Sequence, residues 1–194
     1  MTERTAKRRS APEAVANDSR DSRGAGAVFQ GFVRFVAAGG PLGAAVLVLG
    51  AAGAVLMLIA ELSTYREIQV VTASCEELTR SSPDVAEACI TTGAEQHNLA
   101  LAVIAVGALL MALGAGPGGS RPAAVALGAL GVVVLAIALF GDLPHTDVTG
   151  AVGRNFDQAE GKAGPAITFE LIGAGLVLAA ALARLLTGRR EPPA

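Results

Sequence analysis

Residues 41–62 read PLGAAVLVLGAAGAVLMLIAEL, an unbroken apolar run that meets its first charge at Glu61. At 1.5 Å per residue such a run crosses the ~30 Å of hydrocarbon in a bilayer. Pro41 suits the start of a helix, where its missing N–H is not needed. Three further stretches read the same way: residues 98–114, 122–140 and 165–186, the last two opening on Pro122 and Pro165. In lipid the backbone must satisfy its own hydrogen bonds, so each is expected to be a helix. The second is the shortest and has room to begin earlier, near Glu95.

Composition agrees. Hydrophobic residues make up 52% of the 194-residue chain, charged residues 16%, and the mean hydropathy is +0.53. Soluble domains carry about 25% charge, and here the deficit is concentrated in the four apolar runs. Gly and Ala abound, as they do where membrane helices approach closely. There is no Trp and one Tyr, so an interfacial aromatic belt is sparse. The net charge of −2 gives no basic patch for nucleic acid.

The fold class expected is therefore all-α: a polytopic membrane protein, a four-transmembrane-helix bundle with a small extracytoplasmic helical hairpin stapled by a disulfide. Residues 1–27 read as a disordered basic tail around Lys7, Arg8 and Arg9. A twin-arginine export signal is excluded because no apolar stretch follows promptly. Residues 28–40 put Phe29, Phe32, Phe35 and Val36 on one helical face. They form either an amphipathic helix at the inner membrane surface or the first turns of the first span. The remaining boundaries are 41–62, 96–114, 122–141 and 165–186 for the spans, 115–121 for a cytoplasmic turn, and 187–194 for a cytoplasmic tail. Lys and Arg crowd the N-terminal tail, the 115–121 turn (Arg121) and the C-terminal end (Arg184, Arg189, Arg190). The positive-inside rule then sets both termini in the cytoplasm. The Ala, Gly, Val and Arg bias suggests a high-GC genome, hence a bacterial plasma membrane.

Two loops, 63–95 and 142–164, lie outside. The first holds both cysteines, and an oxidising compartment favours a Cys75–Cys89 disulfide worth about 3 kcal/mol. Leu62, Tyr65, Ile68, Thr72, Cys75 and Leu78 keep helical spacing, and Ser82-Pro83-Asp84 is a good helix start. These give the helical hairpin. The four-span layout with a cysteine pair in the first outer loop resembles claudin-like tetraspan proteins in architecture. Their Trp-bearing loop signature is absent.

No nucleophile–base pair, phosphate loop or close dithiol is visible, so no catalytic residue and no enzymatic activity are expected. Ionisable groups inside a membrane raise the question of function. Glu170 lies about 7.5 Å along its helix from Pro165. Glu61, Asp142, His97 and Asn98 end the other spans at the same outer level, with His145 just beyond. Together they are a candidate ion or proton site, or simply polar helix ends, with Glu170 supporting the positive end of its helix. His97 and His145 lack a ligand repeat, and zinc needs three or four ligands, so no metal, haem or other cofactor is expected. Small residues (Gly43, Gly50 and Gly53; Ala124, Gly128 and Gly131; Gly173 and Gly175) are packing surfaces, internal or intermolecular. Two functional expectations follow. One is a non-enzymatic protein acting by helix association, as a homo-oligomer or with other membrane subunits among lipids. The other is an ion channel or proton-coupled transporter using Glu170.

Overall fold

The computed structural model describes residues 30–31, 33–37, 39–70, 80, 89–147, 149, 152 and 159–187. Residues 30–31 and 33–35 belong to a separate N-terminal unit and are helical, with Val33 and Phe35 exposed. All that follows lies in the unit Val36–Ala194. Gly39 lies in a turn, and Gly40 after it has a positive φ.

Four apolar helices make up most of this unit: α1 (Gly40–Leu62), α3 (Ala100–Ala115), α4 (Arg121–Ala136) and α5 (Pro165–Thr187), with a five-residue α2 (Gly93–His97) ahead of α3. A π-helical stretch, Ile137–Asp142, and a 3₁₀ turn, Leu143–His145, prolong α4. Around the group, α1 packs on α5, α5 on α4, α4 on α3 and α3 on α1. Among the described residues three helices, Gly40–Leu62, Arg121–His145 and Pro165–Thr187, are long and apolar enough to cross a membrane. The fourth, Ala100–Ala115, is shorter, about 24 Å by helical rise.

Small residues make up much of the interior: Ala54, Ala105, Ala108, Ala112, Ala115, Ala124, Ala174, Ala180 and Ala181 are buried, among Val46, Met57, Leu101, Leu127, Val134 and Val177. Other large apolar ones face out, including Val48, Val103, Leu110, Val132, Phe140, Ile172 and Leu186. Water penalises such a surface, whereas lipid does not, and small interior residues let helices approach closely. The glycines show how closely. A Cβ at Gly53 would stand 2.7 Å from the Gly173 carbonyl oxygen, and one at Gly50 would stand 2.6 Å from the Ala112 Cβ. Gly43 faces Gly116 in the same way, and Gly131 faces Leu178. Gly175 alone of these glycines has nothing near it.

At one end the α3–α4 turn is closed by Ser120, whose hydroxyl accepts from the Ala123 N–H, and by Arg184, which donates to the Gly119 carbonyl at 2.7 Å. The opposite end differs from the expected hairpin. Thr64–Val70 is a β-strand, β1, paired antiparallel with β2 (Ile90–Thr92) and β3 (Ala159–Ala163) in the order β2-β1-β3. The β1–β2 register shifts between Thr64 and Arg66. That irregularity buries both Tyr65 and Ile68, so two residues three apart point the same way, as in a helix. This is how a bulged strand imitated helical spacing. Tyr65 packs with Ala60, Ala166 and Ile167, placing the sheet against the ends of α1 and α5. Cys89 is buried. Cys75 and Ser82-Pro83-Asp84 lie outside the described residues.

Candidate functional site

Four chain segments deliver one side chain each to a point beneath the sheet. Glu61 is the penultimate residue of α1, and Asp142 ends the π-helical stretch. Val134, Ala138 and Asp142, four residues apart and all buried, share one face, which keeps the carboxylate on the inner side. Glu170 is the sixth residue of α5. His97 closes α2, a short helix that the sequence secures at both ends.

At the start of α2, Thr92 and Glu95 form a reciprocal capping box. The Thr92 N–H donates to Glu95 Oε2 at 2.8 Å, and the Glu95 N–H donates to the Thr92 hydroxyl. Gly93 lies directly on the last turn of α1, its N–H donating to the Ser63 carbonyl. A Cβ there would be 2.5 Å from the Ala60 carbonyl oxygen. At its far end two successive residues, Asn98 (φ 49°) and Leu99 (φ 65°), are left-handed. Asn tolerates that region, whereas Leu does so at a cost. The reversal separates α2 from α3 and leaves His97 aimed inward.

The resulting geometry is tight. His97 Nε2 lies 3.0 Å from Asp142 Oδ2, and Nδ1 lies 3.4 Å from Glu61 Oε2 without hydrogen-bond alignment. Glu170 and Asp142 each bring a carboxylate oxygen to within 4.8 Å of the other and of a His97 ring nitrogen. Tyr65 donates its hydroxyl to the Asp142 main-chain carbonyl at 2.7 Å and meets the His97 ring edge-on. Glu61, Asp142 and Glu170 are 2%, 2% and 1% exposed. Both Glu61 oxygens and Glu170 Oε1 are buried without a hydrogen-bond partner.

His97 is set among the carboxylates of Asp142, Glu61 and Glu170. Burial and the neighbouring Asp142 push the Tyr65 hydroxyl far above its usual range, so Tyr65 stays a neutral donor. Helix dipoles add to the negative potential. Glu61 and Asp142 sit at C-terminal helix ends, where cations are favoured. Glu170 lies beyond the first turn of α5, where the favourable dipole effect has fallen away. The four side chains form an enclosed acidic cluster with an imidazole in it.

Of the residues singled out by sequence, the structure brings together Glu61, His97, Asp142 and Glu170. Asn98 is exposed and contributes backbone curvature. His145 is exposed and bonds locally to the Gly141 carbonyl. Tyr65 is the member that sequence reasoning missed. As the chain's single tyrosine, next to an apolar span, it was visible, but its helical reading hid its role. The expectation of no metal site counted histidines alone. The structure sets one ligand atom each from His97, Asp142 and Glu170 within 4.8 Å of one another, with donors from segments far apart in sequence. Comparison with protein-family models, curated proteins and solved structures finds no match.

Proposed function

We propose that this chain is a four-span integral membrane protein that binds a small cation in the acidic pocket at its outer end, as part of cation- or proton-coupled transport. The observation that carries this is three carboxylates from three helices, almost wholly enclosed, with oxygens left unpartnered. Buried carboxylates that lack partners are costly unless a positive charge joins them. The span through α3 is completed by α2 and the Asn98–Leu99 reversal, which add length to a helix otherwise short of the bilayer. The end bearing Arg121 and Arg184 faces the cytoplasm by the positive-inside rule, which sets both termini inside and the pocket outside. A Cys75–Cys89 disulfide secures the outer loop in this reading.

Association as an oligomer or accessory subunit is the second reading. Most of the packing glycines are occupied within the chain, so this reading draws on the outward apolar face at Leu99, Ala102, Val103 and Val106, which forms a shallow groove. Reconstitution in liposomes separates the two. Wild-type protein is expected to carry protons or a metal cation down an imposed gradient, and Glu170→Gln to fall to the level of empty vesicles. A Glu170→Gln protein that transports like wild type across pH removes the basis of the transport reading.

A further inference from the structure

We infer that the cation is a single divalent first-row transition ion, held by His97 Nε2, Asp142 and Glu170, with Glu61 steadying the imidazole from its far side. This deepens the cation-site reading above and depends on it. Three features point to a metal. The first is the donor set. One imidazole nitrogen and two carboxylates, each from a different segment, surround one point with their atoms all within 4.8 Å of one another. Donors about 2.1 Å from a tetrahedral ion are about 3.4 Å apart, so rotamer adjustments of under about 1 Å close the set.

The second is the unpartnered oxygen. Glu170 Oε1 is enclosed at 1% residue exposure and accepts no hydrogen bond. Its carboxylate lies in the same group of atoms as Asp142 and His97, so an ion at that point meets an oxygen from each acid.

The third is the outer layer. A metal-bound histidine ordinarily directs its second ring N–H at a carboxylate, which fixes tautomer and ring orientation. His97 approaches that arrangement: Nδ1 lies 3.4 Å from Glu61 Oε2, short of hydrogen-bond alignment, while Nε2 faces Asp142 Oδ2 at 3.0 Å. Tyr65 holds the Asp142 backbone through its carbonyl. An imidazole among carboxylates suits Zn²⁺, Mn²⁺, Fe²⁺ or Co²⁺ better than Ca²⁺ or Mg²⁺, which prefer all-oxygen shells. Three protein ligands leave a position open for water or for another ligand. His97, with 9% of its side chain exposed, is the member nearest the surface.

The test uses the full chain in detergent, stripped with a chelator and titrated with ZnCl₂ or MnCl₂ against millimolar Ca²⁺ and Mg²⁺. One equivalent of Zn²⁺ or Mn²⁺ per chain is expected. Asp142→Asn and Glu170→Gln should each weaken binding by at least tenfold, and Glu61→Gln by about 10- to 100-fold, as for other outer-layer partners. No stoichiometric binding, or binding indifferent to Asp142→Asn and Glu170→Gln, overturns the inference. If those variants do not fold, X-ray absorption on the Zn²⁺-loaded wild type decides, because a metal shell without one imidazole nitrogen is incompatible with it. Transport of protons by a protein that binds no metal sinks this inference and leaves the cation-site reading standing. Stoichiometric metal with no transport leaves the metal site standing and sinks only its role in transport.

Discussion

Replacing Gly93 with alanine tests the coupling between fold and pocket most sharply. In an ordinary helix this substitution raises stability by up to about 1 kcal/mol. Here the new methyl would sit 2.5 Å from the Ala60 carbonyl oxygen and 2.8 Å from the Glu61 Cα. Ordinary contact begins near 3.4 Å, so α2 must retreat from α1 by about 0.9 Å, and both clashing atoms belong to backbone that cannot rotate away. Overpacking of this kind costs about 1–3 kcal/mol, a fall in Tm of roughly 2–12 °C for a chain of this size. The displacement reaches His97 four residues on. The 3.0 Å approach of its Nε2 to Asp142 lengthens past hydrogen-bond range. Thermal unfolding in detergent, alongside Zn²⁺ titration, reads both effects. A Gly93→Ala protein as stable as wild type, with unchanged affinity, would refute the idea that close backbone contact positions the histidine.

Other perturbations follow from the same contacts. Gly53→Ala and Gly173→Ala should each destabilise by about 1–3 kcal/mol. The double variant should lose less than the sum, because each Cβ meets the other's carbonyl and one separation of α1 from α5 relieves both; a double-mutant cycle in detergent measures this. Gly175→Ala meets nothing, so its unfolding midpoint should stay level or rise by the helix-propensity gain. Tyr65→Phe should lower stability by about 1–3 kcal/mol, since the buried Asp142 carbonyl loses its donor, and denaturant titration detects it. Glu170→Gln removes one of three crowded carboxyl groups. In chelator it should be at least as stable as wild type, and with Zn²⁺ at 100 times the wild-type Kd wild type should gain about 2.7 kcal/mol and the variant at least about 1.3 kcal/mol less. Paired melts with and without metal give the sign.

The apolar runs were legible because hydrocarbon demands only length and absence of charge, which are properties of a local segment. For the same reason Glu61, Asp142 and Glu170 stood out, as charges where lipid tolerates few. What lay beyond local reading was depth and convergence. Helical spacing at Tyr65 and Ile68 belonged to a bulged strand, because pairing with β2 and β3 decides that segment and its partners lie far along the chain. His97 points inward because Gly93 allows α2 onto α1 and two left-handed residues turn the backbone after it. Neither fact is written in hydropathy. Sequence by itself determined which segments shun water and which side chains are out of place among them. Only the tertiary structure decided that those side chains meet, since a pocket is made of distances between residues that the chain keeps apart, and those distances depend on close contacts between backbones.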